Sequence, residues 1–120
     1  MMAVVEILIY FLVIFLYDSG IRNYEMRKII MKCVTLDCEP IASAAEFHKA
    51  LAAIMEFPAE YGENLDAMFD CLTENREDRE LILLNWHKLS YTLKDYAEKI
   101  LYVFHCACGE NRHLTVTMHP

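Results

Sequence analysis

The sequence predicts a small α/β protein in which a three-stranded parallel sheet packs with helices, in the order strand, helix, helix, strand, helix, strand. Residues 81–84 form a continuous apolar run, which is typical of a strand buried on both faces of a parallel sheet. Two longer segments, within residues 43–57 and 92–109, carry apolar side chains at helical spacing. Because parallel strands need crossover connections, helices are expected between them.

The first strand and the first helix are expected before Pro58. Residues 29–36 are mostly apolar and β-branched and precede a turn in residues 37–40, as expected of a strand. Ser43 and Glu46 have the spacing of a capping box, in which the two side chains satisfy backbone donors of the first helical turn. The helix is expected to end before Pro58, because the proline ring disfavours a helical predecessor.

The second half of the chain is predicted to form one long helix and the last strand. Thr92 and Asp95 resemble another capping box, and apolar residues recur at helical spacing from Leu93 onwards. Gly109 is predicted to follow the end of this helix, because glycine tolerates the left-handed conformation. Residues 114–118 alternate apolar side chains with threonines, which predicts the last strand.

Length and charge limit the possible functions. A chain of 120 residues that is 56% apolar is long enough for one domain with a core. Its formal charge of −7 disfavours direct binding of nucleic acid, which is driven by lysine and arginine. The same charge favours a basic protein partner, whose approach it would accelerate. No glycine-rich phosphate loop is present, and no cofactor is predicted.

The five cysteines predict reduced thiols and a cytoplasmic protein. Their number is odd and their spacing is irregular, so they do not suggest a disulfide framework. Cys106 and Cys108, with His105 and His113, are a weak candidate for a metal site. A Cys-x-Cys pair on a helix directs its thiols to different faces, and the spacing matches no known zinc site. No metal is therefore predicted.

Residues 1–25 are predicted to be an apolar extension outside the domain, which is assigned to residues 26–120. Two interpretations of the extension remain open. The first is a membrane anchor, for which the apolar run is short relative to a bilayer. The basic residues that follow the run would leave the domain facing the cytoplasm. Alternatively, translation starts at Met26 or Met31, and the preceding residues are an upstream extension of the reading frame. Membrane contact is expected only through this segment.

The most informative segment is an acidic helix that is predicted to begin near Asn64, after a turn at Gly62. Its apolar side chains share one face, made of Leu65, Met68, Phe69 and Leu72. Another face carries Glu63, Asp66 and Asp70. No lysine or arginine occurs in residues 50–75, so the local sequence does not neutralise these carboxylates. Either they form a solvated helix start, which explains Asp70 poorly, or they bind a cationic partner.

The segment Tyr61-Gly62-Glu63-Asn64-Leu65-Asp66-Ala67, continued by Asp70-Cys71-Leu72-Thr73, resembles the hallmark of the barstar family. Members of this family are small intracellular inhibitors of secreted bacterial ribonucleases. The likeness extends over residues 32–118 and implies a barstar-like fold. It also implies a protein that neutralises a basic ribonuclease by binding it one-to-one and occupying its active site with the acidic helix and the adjacent loop.

The resemblance and the charge pattern together predict the binding residues. A ribonuclease site concentrates cations that hold phosphate, so spaced carboxylates can occupy the same positions through charge-assisted bonds. Asp70 is predicted to be the central phosphate mimic, and Asp66 a second anionic contact. Asn64 and Gly62 are expected to offer polar and backbone groups.

Further contacts are expected around these charges, with some departures from the family. Tyr61 and Phe69 are predicted to supply apolar contact. The family has a tyrosine where this chain has Glu60, a tryptophan where it has Phe69, and a glutamate where it has Cys106. The next family glutamate is retained as Glu110. The acidic pair is unaffected, but the departures bear on which ribonuclease is bound and how tightly.

Two other classes of function are consistent with the sequence. The first is an immunity or regulatory module of the same fold whose basic partner is not a ribonuclease. The second is an enzyme, since Asp66 and Asp70 have the spacing of a carboxylate pair, but the pattern shows no matching substrate pocket. His48 and Trp86 are predicted to be structural. No enzymatic activity is predicted.

Overall fold

The computed structural model describes residues 31–120, and the predictions for residues 1–25 lie outside the described residues. The elements are β1 (Lys32–Asp37), α1 (Ala44–Met55), α2 (Leu65–Glu74), β2 (Arg79–Leu84), α3 (Trp86–Leu93), α4 (Asp95–Glu110) and β3 (Leu114–Met118). The predicted α/β fold class is confirmed. Within the described part of the chain, no helix is long and apolar enough to cross a membrane.

The three strands form one parallel sheet in the order β1-β2-β3. On β2, Leu81 and Leu83 are fully buried, whereas Ile82 and Leu84 are only half-buried. The prediction of a strand buried on both faces therefore holds for one face only. The core also contains side chains from all four helices, among them Phe47, Leu51, Met68, Leu72, Leu89, Ile100 and Phe104. The helices thus cover the buried face of the sheet.

The ends of α1 agree with the prediction. The Ser43 hydroxyl accepts the backbone N–H of Glu46 at 3.2 Å, and the Glu46 carboxylate accepts the N–H of Ala42 at 2.7 Å. Two donors that the helix cannot satisfy are thereby paired. At the other end Glu56 has a φ of 58°, and the helix stops before Pro58 as predicted.

The second half differs from the prediction in three ways. The expected long helix is present as α4, but a helix that was not predicted, α3, precedes it, and the two meet at Lys94, where φ is 50°. Thr92 lies inside α3 and the N-cap of α4 is Lys94, so the capping box expected from Thr92 and Asp95 does not form. Gly109 lies inside α4, and Asn111 is the C-cap. The helix ends at Asn111, whose backbone is extended, with a φ of −125° and a ψ of 100°.

The first residue of β2, Arg79, is a buried cation that the sequence pattern did not reveal. Arg79 is only 6% exposed. Its Nη1 atom donates to the carbonyl of Met55 at 2.7 Å, and its Nη2 atom donates to the Glu77 carboxylate at 3.0 Å. A buried charge of this kind needs such partners to offset its desolvation. Arg79 therefore connects the end of α1 to the start of β2.

Candidate partner-binding site

The start of α2 is built by Asn64 and Gly62. The Asn64 side chain accepts the N–H of Ala67 at 2.8 Å, as an N-cap does, and its amide donates to the Gly62 carbonyl at 3.3 Å. A Cβ atom added at Gly62 would lie 3.0 Å from the Asn64 amide nitrogen. Glycine at position 62 therefore leaves room for the side chain of Asn64. The predicted helix start near Asn64 is confirmed.

The acidic side of α2 faces solvent on an anchored helix. Met68 and Leu72 are fully buried and hold the helix on the core, whereas Asp66 and Asp70 are exposed. Among residues 31–120, ion pairs involve Lys32 and Arg79, and His113 contacts Asp78; none of these contacts involves Asp66 or Asp70. The two carboxylates are one helical turn apart, and neither has an ion-pair partner among the described residues.

The loop before α2 is tethered to the domain through Tyr61. Its hydroxyl lies 2.6 Å from Nδ1 of His48 on α1, while the hydroxyl of Tyr96 on α4 lies 2.6 Å from Nε2. His48 is 1% exposed, and burial lowers its pKa; burial also raises the pKa of both tyrosines. A neutral imidazole donates through one nitrogen and accepts through the other, so both bonds can form at once. His48 is structural, as predicted.

The ring of Tyr61 is also engaged inside the domain. It contacts Phe57 edge-on at a centroid distance of 4.9 Å. The half-buried Tyr61 thus holds the loop with both its ring and its hydroxyl, and Glu60 and Glu63 on either side remain exposed. Glu63 adopts a φ of 52°, a left-handed conformation that is uncommon outside glycine. The tether fixes the backbone that leads into the acidic helix.

A groove of about 520 Å³ lies between α2 and α4. Its half-buried lining residues are Leu65, Phe69, Val103 and Cys106, and its exposed ones are Asp66, Asp70, Tyr102 and Glu110. The structure therefore brings four of the predicted binding residues together around one cleft. The other four predicted residues, Glu60, Tyr61, Gly62 and Asn64, do not line it and belong to the preceding loop.

Sequence reasoning missed three residues of this groove. Leu65 was assigned only to the packed face of α2, and neither Val103 nor Tyr102 was singled out. Tyr102 is 68% exposed, and its hydrogen bond with the Cys106 side chain raises the pKa of the phenol. The signal available in the sequence was the helical spacing of Tyr102, Cys106 and Glu110, which places the three on one side of α4.

The far end of α2 is held by Asn111. This residue is 1% exposed, and its amide donates to the carbonyls of Leu72 and Asn75 at 2.9 and 2.6 Å. Its side-chain oxygen accepts the N–H of His113 at 3.0 Å. Carbonyls at a helix C-terminus lack hydrogen-bond donors within the helix, and the Asn111 amide supplies them with a donor. The helix α2 is thereby held at both ends.

The thiols and imidazoles occupy separate environments. None of the five cysteines, all of which lie in the described part of the chain, forms a disulfide there, and burial raises the pKa of Cys38 to about 11. Cys106 lines the groove, whereas His113 pairs with Asp78 at 2.8 Å. Residues 31–120 contain no group of three or more His, Cys, Asp or Glu side chains that could hold a metal ion.

Comparison with known proteins identifies the family. Residues 31–119 match the family described as Barstar (barnase inhibitor). A protein of Bacillus subtilis (strain 168) named "Putative ribonuclease inhibitor YrdF" is 35% identical over 79 residues, which cover 65% of this chain and 81% of that protein. The family match includes every strand and helix described above. The chain belongs to the barstar family.

Proposed function

We propose that this protein is a stoichiometric inhibitor of a bacterial ribonuclease, which it binds one-to-one in the cytoplasm. It blocks the active site with α2 and the loop that precedes it. The observation that carries this proposal is the exposed pair Asp66 and Asp70, which lies on a helix fixed at both ends and has no ion-pair partner within residues 31–120. Membership of an inhibitor family and the name of the Bacillus subtilis relative support it.

The two carboxylates match what a ribonuclease active site offers. Such a site holds a phosphodiester with cations, and a carboxylate accepts charge-assisted hydrogen bonds from the same cations. Asp70, on the second turn of α2, is the central phosphate mimic, and Asp66 is the second anionic contact. Because α2 is already ordered, little conformational entropy is lost when the partner binds. The formal charge of −7 accelerates the approach of a basic enzyme.

The remaining contacts surround this pair. Gly62 and Asn64 present backbone and polar groups at the start of the helix. Phe69 and the tethered ring of Tyr61 supply apolar contact, and Glu110 adds a carboxylate from α4 across the groove. Glu60 is an exposed acid at the edge of the same loop. The chain contributes charge and shape to the complex, and the inhibited enzyme supplies all the catalytic groups.

Calorimetric titration of the full-length chain into barnase tests the proposal, with cleavage of an RNA substrate measured in parallel at low and at high salt. We expect one-to-one binding, loss of cleavage at equivalence, and weaker binding at high salt because salt screens the charge pairs. A mononucleotide that occupies the active site should compete. Binding that leaves cleavage intact, or that the mononucleotide does not affect, would favour a regulatory module that acts on a basic protein elsewhere.

A further inference from the structure

We propose that the groove between α2 and α4 receives a large apolar side chain of the partner, flanked on the partner by basic residues. The inference rests on the proposed function and specifies the surface that the inhibited ribonuclease presents. It concerns the cleft beside the acidic pair.

The lining of the groove separates apolar from charged groups. Leu65 and Phe69 of α2 face the groove together with Val103 and Cys106 of α4, and all four are half-buried and uncharged. The three acids that line it are exposed. None of its eight lining residues is a lysine or an arginine. An occupant of the half-buried part therefore meets carbon and sulfur, while groups on either side of it meet carboxylates.

This arrangement favours an apolar occupant over a cation. A lysine or arginine placed against the four half-buried residues would lose its hydration. None of these four residues has a carboxylate that could pair with the cation, so this loss is costly. An apolar side chain loses nothing comparable and removes the exposed parts of Phe69 and Val103 from water. A volume of about 520 Å³ accommodates an aromatic ring, which can also contact the ring of Phe69.

The flanking charges follow from the positions of the acids. Asp66 and Asp70 lie on α2, and Glu110 lies on α4, so acidic groups border the groove on both helices. The described residues provide no ion pair to any of them. A partner segment with a basic residue on each side of the apolar one would therefore complement both borders.

Peptide probes test the groove without a ribonuclease. Acetylated and amidated Lys-Trp-Lys, Lys-Gly-Lys and Lys-Lys-Lys are titrated into the isotope-labelled full-length chain and followed by backbone amide NMR shifts. We expect Lys-Trp-Lys to bind about tenfold more tightly than Lys-Gly-Lys, since burial of a large side chain contributes this much or more. The shifts should centre on Leu65 and Cys106. Tighter binding of Lys-Lys-Lys, shifts elsewhere, or no detectable binding would overturn the proposal.

Two variants at one position separate charge from size. Cys106→Glu places a carboxylate among the uncharged residues, so it should abolish the preference for Lys-Trp-Lys and strengthen binding of Lys-Lys-Lys. Cys106→Ser changes the side chain without adding charge and should retain the preference. Thr115→Glu adds the same charge at an exposed position of β3 and serves as the control. An unchanged preference in Cys106→Glu would contradict the assignment.

The peptide and ribonuclease experiments fail independently. Inhibition of barnase together with equal binding of the three peptides would overturn the groove assignment and leave the proposed function supported. Preference for Lys-Trp-Lys without inhibition of any ribonuclease tested would overturn the proposed function, while the groove would remain a site for an apolar side chain with basic neighbours.

Discussion

The Nδ1 atom of His48 lies 2.6 Å from the hydroxyl oxygen of Tyr61, which joins the first helix to the loop before the acidic helix. Tyr61→Phe removes this hydroxyl and leaves a buried ring nitrogen without its partner. A buried polar group left unpaired costs about 1–3 kcal/mol. We expect the free energy of unfolding to fall by about that amount, as measured by urea denaturation.

Tyr102→Phe is the matched control for this substitution. Tyr102 is 68% exposed, so water replaces its lost hydrogen bond and the change in unfolding free energy should stay within about 0.5 kcal/mol. Equal effects of the two substitutions would show that the bond between His48 and Tyr61 does not stabilise the fold.

The burial of His48 predicts that stability decreases in mild acid. Burial is the main influence on this group and lowers its pKa below the ordinary 6.5, while the charge of Glu63 acts weakly in the opposite direction. The unfolded chain therefore binds a proton at a higher pH than the folded protein does. The free energy of unfolding contributed by this group is fully present above about pH 6.5 and is lost as the pH falls below it.

Denaturation measured at several pH values tests this slope. His48→Gln keeps a neutral side chain that can donate and accept, so its stability should depend less on pH between about 7.5 and 5.5 than that of the wild-type protein. His105→Gln removes an exposed histidine from α4 and should leave the wild-type slope unchanged. A wild-type slope in His48→Gln would assign the pH dependence to other groups.

Local patterns were sufficient to predict most of the fold. The apolar run of β2, the alternation of β3 and the capping box of Ser43 depend on neighbours in sequence, and each was observed where it was expected. The helix α3 was not predicted. The long helix was expected to begin near Thr92, close to the observed start of α4, and residues 86–93 before it were not assigned to a helix.

The acidic residues of the candidate site could be predicted from the sequence, whereas most of the contacts that hold its backbone in place could not. The unneutralised acids of α2 are visible as a window without lysine or arginine. Most partners of His48, Arg79 and Asn111 are not visible in the sequence, because these contacts join residues at least 13 positions apart and depend on the tertiary fold. The exceptions are the bonds between Arg79 and Glu77 and between Asn111 and His113. Polar residues that are buried by tertiary contacts look the same in sequence as polar residues at the surface.

Asn111→Asp tests the support at the C-terminus of α2. The substitution keeps the side-chain shape and the acceptor for His113 but replaces the donor to Leu72 and Asn75 with an oxygen. The buried carbonyl of Leu72 and the part-buried carbonyl of Asn75 then lose their donor and face a carboxylate. The free energy of unfolding should therefore fall by at least about 2 kcal/mol.

Asn64→Asp applies the same chemical change at the other end of the helix. Aspartate caps a helix as well as asparagine does. The free energy of unfolding of this variant should therefore lie within about 0.5 kcal/mol of the wild-type value in the same denaturation experiment. If both variants were equally stable, the bonds from Asn111 would not hold α2 in place.

Asp70→Ala tests the central contact with the ribonuclease. In the proposed complex, its removal leaves a desolvated cation of the enzyme unpaired, and breaking one partner of a buried pair costs about 3–5 kcal/mol. We expect the dissociation constant for barnase to rise by at least about a hundredfold, mainly through faster dissociation, as measured by surface plasmon resonance. Because Asp70 is exposed in the free protein, stability should change little.

Glu39→Ala provides the comparison, because it removes one carboxylate from an exposed turn outside α2 and its loop. It changes net charge as Asp70→Ala does, so both variants lose the same long-range attraction to a basic enzyme. Only Asp70→Ala also loses the direct contact, and its dissociation rate should therefore increase far more. Equal dissociation rates for the two variants would remove Asp70, and the acidic helix with it, from the centre of the interface.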